Sequence, residues 1–117
     1  ANAIYEYLVK NITYDYEKIK TISSNYIPDA DTILKAGSGI CYDYAVLMAA
    51  MLRETGIPAK LVMGYRNGLD NYHAWNEVLL KGEWITVDAT FDAVEYRNGR
   101  PYSLQKEAGL YTVQKIF

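Results

Sequence analysis

One cysteine, one histidine and three prolines are all that these residue types contribute to a chain of 117 residues. A lone thiol closes no intramolecular disulfide and supplies no multi-thiolate metal site, so the fold has to rest on its own core. Neither sign of charge dominates, because 12 basic and 14 acidic residues leave a formal net charge of −2. That balance offers no electrostatic footprint for a phosphate backbone or an anionic membrane surface, which argues against nucleic acid as a partner. No apolar run approaches the roughly 18 residues of a membrane span. No charged-then-apolar leader precedes Ala1, and a chain that opens on Ala rather than Met reads as one domain over residues 1–117 taken from a longer protein. Gly37-Ser38-Gly39 is not followed by the Gly-Lys-Ser/Thr of a phosphate loop.

What the chain does have is apolar mass. Half of its residues are hydrophobic, enough for a compact core without metal or disulfide support. Twelve tyrosines and two tryptophans add rings with a polar edge, suited to a core boundary or to a groove that grips extended peptide.

Ala3, Ile4, Tyr7, Leu8 and Ile12 recur at spacings of three and four and predict an amphipathic helix ending near residues 11–13. Residues 13–26 show no clean period. Pro28 closes that stretch, and Asp29 is placed to cap a brief helix through Ala36, which Gly37-Ser38-Gly39 breaks. From Cys41 or Tyr42 to Thr55 the chain reads as a central helix. Every position from 45 to 52 is apolar, and Gly56-Ile57-Pro58 supplies the stop. Residues 60–65, 72–80 and 83–90 read as antiparallel strands divided by turn residues at Asn67-Gly68 and Lys81-Gly82. Asn98-Gly99-Arg100-Pro101 marks another turn, with a further strand within 104–117. The expected class is α+β, with the cysteine-bearing helix packed on a small antiparallel sheet.

Cys41 follows a glycine-rich break at the start of a buried helix, where unpaired backbone N–H groups and the helix dipole favour thiolate over thiol. His73 is the sole source of an imidazole near neutral pH. A two-residue turn at Lys81-Gly82 sets Leu80 against Glu83 and, counting back, Trp75 against Asp88. His73 then shares a sheet face with Asp88, diagonal to it at roughly 7–8 Å between backbones, a gap that side chains can close. A three-residue loop would flip Asp88 to the far face. Taken singly, the three residues have ordinary structural readings: a core cysteine, a satisfied histidine, a strand-end carboxylate. Together they supply nucleophile, acid/base and orienting group. Asp43, Asp70, Glu77 and Asp92 could recruit His73 to a metal, but they lack the i, i+4 spacing of a helical ligand pair, so neither metal nor cofactor is expected.

The blocks Gly37-Ser38-Gly39-Ile40-Cys41-Tyr42-Asp43-Tyr44-Ala45, Tyr72-His73-Ala74-Trp75-Asn76-Glu77-Val78 and Trp84-Ile85-Thr86-Val87-Asp88-Ala89-Thr90-Phe91-Asp92 resemble the cysteine, histidine and aspartate motifs of the bacterial transglutaminase-like superfamily. Leu52-Arg53-Glu54-Thr55-Gly56-Ile57-Pro58-Ala59 and Gly64-Tyr65 fit the same core. The resemblance implies a papain-like arrangement and acyl chemistry on amides, with Cys41, His73 and Asp88 as catalytic residues and a protein or peptide as substrate. It includes cross-linking enzymes, peptidases, deamidases and domains that have lost activity, so an inactive peptide- or cell-wall-binding module is the rival reading. For the oxyanion hole or substrate contacts the candidates are the Cys41 backbone N–H and the rings of Tyr26, Tyr42, Trp75 and Trp84. The resemblance leans toward a bacterial protein of the extracellular space or cell envelope, with cytoplasmic residence left open and no oligomeric state implied.

Overall fold

The computed structural model describes residues 2–23, 25–69 and 71–117. Helix α1 (Asn2–Asn11) turns Tyr5, Leu8 and Val9 inward, and Ile12 continues that face just past its end. The expected face is therefore rotated: Tyr7 is exposed and Ala3 lies outside the core. Positions 5, 8, 9 and 12 satisfy the same helical spacing, and Tyr5 gains a partner there, its hydroxyl donating to Asp92 at 2.5 Å. The chain then forms a two-residue strand β1 (Thr13–Tyr14) and one turn of helix α2 (Lys18–Thr21), started by Asp15, whose Oδ1 accepts from the N–H groups of Glu17 and Lys18. Helix α3 (Ala30–Ala36) starts after Asp29 as expected, but the Asp29 carboxylate bonds the Thr32 hydroxyl rather than a backbone N–H. Gly37 ends it at φ +68, and strand β2 (Ser38–Gly39) pairs in parallel with β1.

Helix α4 (Cys41–Glu54) is the central element and buries Tyr44, Ala45, Leu47, Met48, Ala49 and Leu52. Each fully covered Leu or Met on it is worth roughly 1.5–3 kcal/mol of transfer free energy. Gly56, at φ +82, closes its end, and the Ile57 N–H returns to the Leu52 carbonyl.

Strands β3 (Ala59–Arg66), β4 (His73–Leu80), β5 (Glu83–Val87) and β6 (Tyr111–Ile116) form an antiparallel sheet in the order β5-β4-β3-β6. Lys81 and Gly82 both have positive φ, as a two-residue primed turn requires, and Leu80 faces Glu83 as the turn residues predict. One expectation fails here. The third strand does not run to residue 90: it stops at Val87, and helix α5 (Ala89–Arg97) begins with Asp88 as its N-cap. The β-prone Thr90 and Phe91 hid that start, whereas the Asp88 side chain, accepting from the Phe91 N–H at 3.1 Å, fixes it. The tail forms a 3-10 turn (Ala108–Leu110) and then β6, within the stretch expected to hold a further strand.

Two apolar clusters flank the sheet. The larger joins α1, α4 and α5 to Ala59, Val78, Ile85 and Val87, and the smaller joins Val62, Trp75 and Tyr111. Trp75 and Val78 are three residues apart on one strand, so the clusters lie on opposite faces. Among the described residues no helix is long and apolar enough to cross a membrane.

Candidate active site

Cys41 is the first residue of α4, preceded by an extended Ile40 at φ −99 and ψ −179. The turn that presents it is held from within. Asp43, with no exposed surface, accepts from the Ile40 N–H at 2.9 Å, pairs with Lys18 Nζ at 2.8 Å and accepts from the Tyr26 hydroxyl. Cys41 itself is half-buried.

His73 opens β4 and Asp88 closes the β5 end of the hairpin. His73 Nε2 lies 2.8 Å from Asp88 Oδ2; facing a carboxylate, that nitrogen carries the proton and donates. Nδ1 is thereby the ring nitrogen left for Cys41, which lines the same cavity as His73. Burial works against charge on the imidazole, but the bond to Asp88 and the neighbouring Cys41 outweigh it and raise the pKa to about 10. Cys41 and His73 open together onto a cavity of about 320 Å³ walled by Tyr14, Tyr16, Tyr72 and Phe91.

The other ring candidates stand elsewhere. Tyr26 and Tyr42 meet edge to face at 6.3 Å near the start of α4, Trp84 lies exposed under Lys60 Nζ, and Trp75 is buried between the rings of His73 and Tyr111, which leaves it no surface for a substrate. None of the four lines the cavity. Of the carboxylates weighed as metal ligands, Asp43 pairs with Lys18, Glu77 with Lys60 at 3.8 Å and Asp92 with Lys106 at 2.8 Å; Asp70 lies outside the described residues.

Residues that sequence reasoning passed over include the cavity walls Tyr14, Tyr16 and Phe91, and Tyr111, whose hydroxyl donates to Asp88 Oδ2 at 2.9 Å. The tyrosines were visible only as composition. For Tyr111 the available signal was Gly64, a glycine inside a strand, which marks a bulge or a close backbone approach.

A family model described as the transglutaminase-like superfamily matches residues 1–89, a span that contains Cys41, His73 and Asp88. This chain belongs to that superfamily. Over 80 residues the transglutaminase-like chain is 36% identical to the protein-glutamine gamma-glutamyltransferase of Pseudomonas aeruginosa, covering 57% of this chain and 12% of that protein. It is 31% identical over 99 residues to the kyphoscoliosis peptidase of Mus musculus, covering 76% and 15%. The chain thus spans less than a sixth of either relative's length. Among solved structures, the periplasmic domain of TgpA from Pseudomonas aeruginosa superposes with a TM-score of 0.63 at 28% identity, over 82% of this chain and 38% of that one. The fold is accordingly the papain-like one of transglutaminase-like domains, and the family is one of thiol-based enzymes.

Proposed function

We propose that this transglutaminase-like chain carries a thiol-dependent acyl-transfer site acting on amide bonds of peptides or proteins, with Cys41 as nucleophile, His73 as acid/base and Asp88 as the group orienting the imidazole. The observation that carries the proposal is the meeting of Cys41 and His73 at one cavity while His73 Nε2 is held 2.8 Å from Asp88.

In this reading Sγ, as thiolate beside imidazolium, attacks the amide carbonyl carbon. Negative charge moves to the carbonyl oxygen, and the donor proposed to receive it is the backbone N–H of Cys41, which as the first residue of α4 has no intrahelical acceptor. The C–N bond breaks as Nδ1–H passes its proton to the departing amine, leaving a thioester. Water then attacks, giving a proton back to Nδ1, and the thiolate leaves with the C–S bond broken. Nε2–H stays on Asp88 throughout, so the ring cannot rotate away or change tautomer.

Hydrolysis is the outcome we favour, because Cys41 is only half-buried and lines a cavity that water can enter to reach the thioester. Amine transfer, as the name of the Pseudomonas aeruginosa relative describes, is the alternative fate of the same intermediate. Incorporation of a labelled primary amine into a glutamine-bearing protein faster than ammonia release would reverse that choice. An envelope location is proposed with it, supported by the likeness to a periplasmic domain and tested by cell fractionation.

The decisive test is the pH dependence of Cys41 alkylation by iodoacetamide. An ion-paired thiolate reacts well below the ordinary thiol pKa of about 8.5; a profile rising only near that value points instead to an inactive binding module.

A further inference from the structure

Asp88 accepts more hydrogen bonds than the proposed chemistry uses. Oδ1 takes the Phe91 N–H at 3.1 Å, while Oδ2 takes both His73 Nε2–H at 2.8 Å and the Tyr111 hydroxyl at 2.9 Å. Arg66 Nε donates to the Tyr111 oxygen at 3.1 Å, so the phenol's own proton is committed to Asp88. Building on the catalytic reading above, we infer that Tyr111, backed by Arg66, is a positioning residue for the triad: it anchors Asp88 and takes up part of the charge on the oxygen that His73 shares.

The chain is shaped to bring Tyr111 there. Pairing between β3 and β6 shifts register between Met63 and Gly64: Met63 faces Lys115, Gly64 faces Val113 and Arg66 faces Tyr111, so Gln114 is bulged out. In the same sheet Gly64 faces His73 and Val62 faces Trp75. Directly opposed residues share a face, which places Val62, Gly64, Arg66, His73, Trp75 and Tyr111 on one side. Without the extra residue Tyr111 would fall opposite Asn67 and point to the other side, away from Asp88. The shift needs a glycine. A Cβ on Gly64 would overlap the Thr112 carbonyl oxygen and stand 3.0 Å from the Trp75 ring. Trp75 lies under both partners, stacked on His73 at 6.0 Å and tilted against Tyr111 at 4.8 Å, which fixes the spacing between them.

Two donors on one carboxylate oxygen compete for the same charge. The groups facing the pair are Cys41 from α4, Asp92 one turn along α5, Arg66 from β3 and Tyr111 from β6. Burial and the nearby Asp88 charge push the Tyr111 phenol up, so it remains a donor wherever the protein is folded. Removing its hydroxyl returns charge to the His73 bond. The imidazolium then holds its proton more tightly and gives it up less readily to a departing amine.

The test uses the purified chain, in which His73 is the sole histidine, so its ring N–H resonances, with Nε2–H told from Nδ1–H by nitrogen correlation, belong to no other imidazole. In Tyr111→Phe, with melting checked by circular dichroism, the Nε2–H proton should move downfield and the ring titration should rise by about half a pH unit. Arg66→Met, which weakens the phenol as a donor without touching it, should move the resonance the same way by less, and it carries the test if Tyr111→Phe does not fold. A resonance unchanged or moved upfield in the folded variant overturns the inference. Alkylation of Cys41 in the unsubstituted chain is followed separately: an ordinary thiol profile there rejects the catalytic reading, while the ring N–H comparison still judges Tyr111.

Discussion

Asp43 occupies the space that a side chain at Gly39 would need: an ideal Cβ on Gly39 would stand 2.7 Å from Asp43 Cβ and 2.9 Å from Oδ2. The carboxylate thus lies against the backbone two residues ahead of Cys41 and holds the Ile40 N–H from the far side of the turn. Gly39→Ala must push Asp43 away from Lys18 and Tyr26 or unwind the first turn of α4. We expect a loss of about 1–3 kcal/mol of stability, as overpacking commonly costs, together with slower alkylation of Cys41. Urea melts and iodoacetamide kinetics on the same sample check both; unchanged melts would show that Asp43 yields without cost.

Asp88 has two duties that separate by substitution, because it caps α5 through Oδ1 and holds His73 through Oδ2. Asn retains an acceptor for the Phe91 N–H but loses the charge, whereas Ala loses both. Asp88→Asn should keep α5 capped and cut amide turnover by roughly 10²–10⁴, since the imidazole loses the partner that fixes its tautomer. Asp88→Ala should add about 1 kcal/mol of lost helix stability to a comparable loss of turnover. Equal stabilities for the two variants would remove the capping role.

The extent to which the sequence disclosed this arrangement follows how local each determinant is. Helix α4, the stop at Gly56 and the Lys81-Gly82 turn are written in adjacent residues, and all three stand where the pattern puts them. The hairpin register, fixed by that turn, carried over far enough to bring His73 and Asp88 together. Asp88 itself reads as strand in the sequence, because Thr90 and Phe91 favour β structure and the competing cap is a single side chain. In α1 two helical faces fit the spacing equally, and a contact 87 residues away, Tyr5 to Asp92, chose between them. Tyr111 was the least legible residue, since its place depends on a bulge between strands far apart in the chain.

Asp92 is buried, accepts from Tyr5 and Lys106 on Oδ2, and has an Oδ1 that meets no donor among the described residues. Burial raises its pKa to about 6 from 3.8, against the opposing pull of Lys106 and Tyr5. The folded protein therefore binds a proton that the unfolded chain has already released. Its contribution favours folding below pH 4 and is lost as pH climbs through 6, about 3 kcal/mol in all. Asp92→Asn has no such proton, so the stability difference between the two proteins should change by that order between pH 4 and pH 6.5. Denaturant titrations at the two pH values measure it, and parallel curves would mean the carboxyl is already ionised at pH 4.

His73 gives the opposite kind of group but the same direction of change. Although burial opposes its charge, the bond to Asp88 and the neighbouring Cys41 raise its pKa from 6.5 to about 10, so the folded protein keeps an imidazolium proton that the unfolded chain loses first. Stability from this source is whole below pH 6.5 and drains away as pH rises toward 10. Other groups titrate in that window, a thiol paired with the imidazole among them, so the comparison is between Cys41→Ser and Cys41→Ser/His73→Gln, in which no thiol exchanges a proton with the ring and Gln stays neutral. The stability advantage of the histidine should shrink steadily from pH 6 to pH 10. If the advantage instead stays level or grows with pH, the imidazole is neutral in the folded state and Asp88 does not hold it charged.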